Sequence, residues 1–289
     1  MKRKGGNKLN STSSIRTFFF HTGVVLLGLF MVYPILWLIS SSIKPESEIF
    51  TNSASLIPSS LQWSNYVKGW AGFGNFHFGL FFQNSLIVTT AIVIGTLFSS
   101  SLVAFGFARL QFKLRKLLFA FLLMAIMLPA QVTLIPQYIL FHKLDWVNTF
   151  MPLIVPAFVG GTPFFIFMLI QFIRGIPKEL DESAVIDGCS TFGVFWYMML
   201  PLMAPALATV AIFSFYWSWD DFLGPLIYLN QTKLFTVSLG LRMFADPSSV
   251  SQWGPLFAMS VLSIVPQLMV FLFFQKYLVQ GLATTGLKG

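Results

Sequence analysis

Two stretches of the sequence concentrate the side chains able to do chemistry. One reads FYWSWDDFLGPLIYL and sets two adjacent carboxylates, Asp220 and Asp221, behind Tyr216, Trp217 and Trp219. Flat aromatic faces of this kind stack on sugar rings while carboxylates take the hydroxyls. The same residues also suit a plainer arrangement, with the rings packed between helices and the acids in the outer headgroup zone, where Trp and Tyr concentrate. The residues alone leave both arrangements open. The other stretch, ESAVIDGCSTFGVFWYMMLP over 182–201, carries an acid, two small residues, a glycine six positions after the acid and a closing Leu200-Pro201.

Covalent catalysis finds no support in either. No Ser-His-Asp or hydrolytic two-carboxylate set occurs in a recognisable context. The three histidines, His21, His77 and His142, lack ligand-like spacing, and Cys189 is the single cysteine, so neither a metal site nor an internal disulfide is expected. No phosphate-cradling G-x-x-x-x-G-K-[ST] occurs, nor any Gly-Lys pair.

The elements that must position these stretches belong in a bilayer. Of 289 residues, 56% are hydrophobic and 10% charged, with a mean hydropathy of +0.76, whereas about a quarter of a soluble domain is charged. The net charge of +8 falls in short clusters beside apolar runs. That pattern is one of membrane-flanking anchors, so lipid rather than nucleic acid is the expected partner of the charge. Six apolar runs approach the roughly 20 residues needed to cross a hydrocarbon core, near 18–40, 84–107, 117–140, 152–173, 202–229 and 256–279. The first is expected to remain as a span, being too long for the apolar core of a signal peptide and followed by YPILWLISSSIKP rather than a small-residue cleavage site. Pro34, Pro129, Pro136, Pro163, Pro205, Pro225 and Pro266 lie in or beside these runs, where they kink helices without marking a site.

Lys and Arg in the connections track the cytoplasmic side. With the N-terminus inside, inner segments hold Lys2, Arg3, Lys4, Lys8, Arg16, Arg109, Lys113, Arg115, Lys116, Arg174, Lys178, Lys276 and Lys288, thirteen in all. Outer segments hold five: Lys44, Lys68, Lys143, Lys233 and Arg242. The bias predicts both termini, and the stretch 182–201, in the cytoplasm. Local signals there predict a helix–turn–helix. Pro177 suits a first helical turn, Glu179, Asp181 and Glu182 complement its positive end, and Gly188 fits a left-handed stop. Ser190 or Thr191 can cap a second short helix carrying Phe192, Phe195, Trp196 and Met199 before Pro201 opens the next span. An amphipathic helix resting in the headgroups would have a similar outline.

The stretch resembles the cytoplasmic signature of ABC-importer permeases, written EAA, three residues, G, nine residues, I, one residue, LP. Glu182-Ser183-Ala184, Gly188, Met198 and Leu200-Pro201 hold those spacings, with Ser183 for Ala and Met198 for Ile. From Asn84 onward, NSLIVTT, AFGFARLQF, LPAQVTLIPQYIL, GTPFFIFMLIQFIRGIPKELDESAVIDG, PLMAPALATVAIFSFYWSWDDFLGPLIYL and QKYLVQGLATTGLKG look like the smaller permease subunit of maltose-type carbohydrate importers; residues 1–83 share only the layout of one span and an external loop.

The resemblance implies an all-α membrane protein with the type I importer permease fold, six transmembrane helices and cytoplasmic termini. Its parts are 1–83, a core of 84–280 with the coupling loop 175–201, and a tail of 281–289 that reaches between ATPases. It implies a bacterial or archaeal cytoplasmic membrane, a second homologous permease, two ATPase subunits and an extracytoplasmic sugar-binding protein. ATP and Mg would be bound by the ATPase and no cofactor by this chain, whose role is then transport without catalysis. It assigns Glu182, Ser183, Ala184, Asp187, Gly188, Phe192, Leu200 and Pro201 to ATPase coupling. The family's W-N-D-F-L is matched by Trp219, Asp221, Phe222 and Leu223, with Asp220 in place of Asn; Tyr216, Trp219, Asp220 and Asp221 are the candidate substrate pathway. The competing class is an ion-coupled secondary transporter acting alone, which also uses broken helices and intramembrane acids.

Overall fold

The computed structural model describes residues 9–245 and 252–286, with side chains over 16–129, 131–245 and 252–275. Lys2, Arg3, Lys4, Lys8 and Lys288 of the charge count lie outside the described residues, as does the end of the tail at 287–289. Helices account for the architecture, and among the described residues the only β pairing is an isolated bridge between Phe73 and Phe76. In chain order they are α1 (Leu9–Ser42), α2 (Glu46–Thr51), α3 (Ser64–Ala71), α4 (Phe78–Arg109), α5 (Arg115–Met127), α6 (Ala130–Lys143), α7 (Met151–Phe158), α8 (Pro163–Arg174) and α9 (Glu179–Ile186). There follow α10 (Thr191–Leu202), α11 (Ala204–Trp219), α12 (Leu223–Tyr228), α13 (Val237–Phe244) and α14 (Trp253–Gly286).

Four segments are long and apolar enough to cross a membrane without a bend of more than 40°: Arg16–Ser42, Phe78–Arg109, Met151–Arg174 and Trp253–Gln275. Two more candidates are bent pairs, α5 with α6 at 106° and α10 with α11 at 74°. Pro129 sits at the first bend and cannot continue the ladder of α5. The run 152–173 is broken where Gly160 and Gly161 both take positive φ, before Pro163 restarts the helix. The run 202–229 is not one helix either: α11 ends at Trp219 and α12 restarts at Leu223.

The chain forms two compact units. In the first, Met1–Trp70 with Phe244–Leu262, the end of α1 and the loop after it close around Lys44, which is fully buried. Its ammonium donates to the carbonyls of Asn52 (3.2 Å) and Ser55, while Asn65 Nδ2 donates to the carbonyls of Ser42 (3.1 Å) and Lys44 (3.0 Å). A buried ammonium surrounded by carbonyls has its donors satisfied.

In the second unit, Ala71–Met243 with Ser263–Gly289, α4 is the central element and packs on α7, α8 and α11. Small residues let the helices approach, the usual basis of packing where lipid removes the hydrophobic drive between helices. A Cβ on Gly95 would lie 2.5 Å from the Phe158 ring, and Ser99 Oγ donates to the Ala157 carbonyl at 2.6 Å, next to the glycine break. The apolar core gathers Ala104, Phe105, Phe165, Leu169, Phe195, Met199 and Val210 from α4, α8, α10 and α11.

Candidate functional site

The sequence stretch 182–201 folds as the expected helix–turn–helix. Glu179, Asp181 and Glu182 occupy the first turn of α9, where carboxylates complement exposed N–H groups. After Ile186 the chain turns at Gly188, whose φ is +86°, and a Cβ there would meet nothing within 4 Å. Glycine is required here by backbone conformation alone. The Cys189 N–H donates to the Ala184 carbonyl (2.9 Å), and Ser190, rather than Thr191, caps α10 by accepting the Gly193 N–H at 3.2 Å. Residues Val194–Met199 within α10 are π-helical, immediately before Pro201, which has no proton for the ladder.

The aromatics of α10 divide. Phe195 and Met199 turn inward into the core, Phe195 against Phe105 at 5.2 Å between centroids. Helical spacing places these four residues on the second arm, and the fold turns Phe195 and Met199 of them away from the exposed face. Those left exposed are Phe192 (67%) and Trp196 (46%), stacked on one another, with Tyr197 (79%), which the sequence reading did not single out. Val185 and Ile186 are exposed on the first arm, and Glu182, Ser183 and Asp187 are exposed beside them. Ala184 and Leu200 are half-buried against the core, and Pro201 is exposed.

One contact to this hairpin went unrecognised in the sequence, where Arg109 counts only as a topology charge. Arg109, the last residue of α4, is 6% exposed; its Nε lies 2.6 Å from Asp181 Oδ2 and its Nη2 donates to the Ile176 carbonyl at 2.8 Å. Burial raises the Asp181 carboxyl above its usual range; Arg109 opposes this without cancelling it.

At the other end of α4, the two aspartates do not sit inside a helix. Asp220 caps the C-terminus of α11 and Asp221 lies in the break before α12. Asp221 Oδ1 accepts the Gly224 N–H at 3.1 Å and its carbonyl accepts Ser238 Oγ at 2.8 Å. Adjacent acids are thereby separated: Asp220, exposed, accepts from Gln267 Nε2 at 2.8 Å, while Asp221 lines a cavity of about 40 Å³ with Ser85, Thr89, Ser218, Thr236 and Leu153. The cavity has room for water rather than for a sugar ring. Trp219 turns inward, 4% exposed, stacked on Phe215 at 5.6 Å with its Nε1 donating to the Ser263 carbonyl, and Tyr216 Oη donates to the Gln267 carbonyl. The half-exposed ring of this stretch is Trp217. Thr89 and Arg109, which touch the two sites, lie about 30 Å apart along α4 at 1.5 Å per residue, one bilayer core.

Residues 91–284 match the family described as "Binding-protein-dependent transport system inner membrane component". The chain belongs to that family. The permease is 36% identical over 291 residues to the arabinooligosaccharides transport system permease protein of Halalkalibacterium halodurans, covering 100% of both chains. It is 32% identical to the trehalose/maltose transport system permease protein of Thermococcus litoralis, covering 92% of this chain and 95% of the relative. To the sn-glycerol-3-phosphate transport system permease protein of Pectobacterium atrosepticum it is 31% identical, covering 91% and 95%. In fold the permease resembles, with a TM-score of 0.81 at 18% identity and coverage of 94% and 99%, a crystal structure of a bacterial ABC transporter involved in the import of the acidic polysaccharide alginate. A secondary transporter acting alone finds no support among these relatives.

Proposed function

We propose that this permease is half of the translocation pathway of an ATP-driven importer for a sugar or oligosaccharide, coupled through 182–201 to a separate ATPase. The carrying observation is the hairpin itself, a capped, tightly turned knob that leaves Phe192, Trp196 and Tyr197 in the open beside the Glu182 carboxylate. Exposed aromatics beside a charge are the residue types that anchor protein interfaces. Arabinooligosaccharides and trehalose/maltose in the names of relatives support a saccharide cargo. The substrate pathway is assigned to Tyr216, Asp220 and Asp221 with Trp217 as the accessible ring, and Trp219 supports the wall from behind.

The reading includes six spans, with the two bent pairs counted as one each, both termini in the cytoplasm, and a membrane core of 84–280 with the coupling loop at 175–201. A second homologous permease completes the pathway, two ATPase subunits bind ATP and Mg, and an external sugar-binding protein delivers the cargo. Reconstitution tests it: sugar uptake into vesicles should require the second permease, the ATPase and ATP together. Uptake by this chain alone would overturn it. In the same vesicles, a cysteine at exposed Lys68 should be labelled from outside only and one at exposed Lys113 from inside only. Labelling of both from one side would remove the six-span topology.

A further inference from the structure

The coupling reading needs both arms of the hairpin linked rigidly to the spans; α10 is anchored in the core by Phe195 and Met199, whereas α9 adds only the half-buried Ala184. No residue of α9 is buried, and the chain reaches it from α8 through Gly175, Ile176 and Pro177. A helix held only by a short linker would swivel when a partner pushes on it. Arg109 bridges that linker. Its Nη2 donates to the Ile176 carbonyl ahead of α9, and its Nε lies 2.6 Å from the Asp181 carboxylate within the first turn as a charge contact without hydrogen-bond geometry, so a hydrogen bond before the helix and an ion pair inside it both run to the end of one 32-residue helix. A guanidinium is planar and carries its charge over three nitrogens, so one Arg109 can hold a carbonyl through Nη2 while its Nε side faces a carboxylate, which the single point of an ammonium cannot do.

The tie leads directly to the other site. α4 carries Thr89, within 3.3 Å of Ser218 Oγ, and Ser85, whose Oγ accepts the Val237 N–H at 2.8 Å; both line the cavity that Asp221 faces. We propose that Arg109 and Asp181 are positioning residues for transport: together they fix the coupling helix to α4, so that displacement of the hairpin moves the Asp221 end instead of being lost in the 175–177 linker. The inference rests on the coupling reading above and assigns a brace that makes no contact with the ATPase.

The test uses the complete transporter, with both permeases, the ATPase and the binding protein in proteoliposomes, and reads three quantities: ATPase retained on purification, ATP hydrolysed, and sugar moved per ATP hydrolysed. Asp181→Asn keeps the side chain's size and removes its charge; Arg109→Lys keeps the charge and loses the planar group that reaches both Ile176 and Asp181. Both should retain the ATPase and hydrolyse ATP within about twofold of the parent, while sugar moved per ATP falls at least about fivefold, with Arg109→Lys the milder. An unchanged ratio in both variants would overturn the brace. So would failure of both to assemble, which would make the pair a requirement of folding rather than of positioning. Trp196→Glu on the exposed face separates the two levels. If it loses the ATPase while Asp181→Asn keeps the parent ratio, the coupling reading stands and the brace falls. If it keeps the ATPase and full stimulation, the coupling reading itself fails and takes the brace with it.

Discussion

The two ends of α4 are built by opposite rules. At the hairpin end one ion pair is tucked in and the rings are shown: Asp181 is held on the nearly buried Arg109, while Phe192, Trp196 and Tyr197 stand open. At the Asp221 end two of the rings are hidden and polar groups line a space: Trp219 and Tyr228 are buried, Trp217 stays half-exposed, and Asp221 shares a cavity with four hydroxyl side chains. The first arrangement suits a surface that waits for a protein, since exposed rings lose water only when a partner arrives. The second suits a wet polar site whose groups are already committed to the fold. Substitutions should therefore damage assembly at one end and stability at the other, and that division can be broken.

The largest effect is expected at Gly224. A Cβ there would overlap Asp221 Oδ2 and press Leu153 at 3.1 Å, so Gly224→Val both overpacks the break and displaces the carboxylate that caps α12. A loss of about 3 kcal/mol is expected from overpacking with loss of the cap, read as a lower thermal midpoint in detergent. A parent-like midpoint would mean the Asp221 cavity is slack, and the contrast with the hairpin would dissolve. Next, Trp196→Ala removes an exposed ring. It should leave the midpoint unchanged and weaken ATPase binding by about 2 kcal/mol, roughly 30-fold. A lower midpoint with unaltered binding would reverse the assignment of the two ends.

Gly188→Val comes third, because its cost is conformational and nothing crowds it. A β-branched residue at φ +86° costs about 1–2 kcal/mol, enough to distort the turn and reduce ATPase-coupled uptake. Asparagine tolerates that region, so Gly188→Asn should recover most of the loss. Equal defects in both variants would mean that the missing side chain, not the φ angle, is what matters. Fourth, Asp221→Asn retains an oxygen for the Gly224 N–H while removing the charge and turning the second acceptor into a donor. Stability should fall by about 1 kcal/mol or less, while uptake at limiting sugar should drop severalfold. Normal uptake would take Asp221 out of the pathway and leave it a helix cap.

These differences follow what the sequence made legible. The hairpin was readable because its signals are local: acids in a first turn, a glycine at the stop, a serine cap and the spacing from Glu182 to Pro201 each act within a few residues. Which rings face out was not, since Phe195 is set by Phe105 on a helix some ninety positions earlier, a contact that helical spacing cannot specify. The Asp220–Asp221 run was read as one long apolar span, because hydropathy averages over a window and cannot register a break of a few residues that a carboxylate caps. The Arg109–Asp181 pair was invisible for the same reason as Phe105: both partners looked like routine charges until the fold brought them together. Lys44 shows the cost of reading charge as exposure, for a cysteine in its place would face the interior of its own loop and report neither side of a membrane.

The smallest effect concerns acid. The Asp181 carboxyl is raised first by burial, with Glu182 adding to the shift and Arg109 and Lys178 opposing it. A folded state that holds a proton more tightly than the unfolded chain gains stability that is fully present below the unfolded value, near pH 4, and lost as pH rises through the folded value. Asparagine at 181 does not titrate. Relative to Asp181→Asn, the parent's thermal midpoint should therefore rise slightly as pH is lowered from neutrality through the raised value towards about pH 4. Protonation at the same time removes the negative partner of Arg109, so sugar moved per ATP should fall over that window in the parent and stay level in Asp181→Asn, which has already lost the charge. The two readouts move in opposite directions only if the pair sets an angle rather than holding the fold together. A midpoint and a transport ratio that fell together on acidification would make Arg109–Asp181 an ordinary stabilising bridge, and the hairpin end would then hide its charge for stability just as the Asp221 end buries its rings.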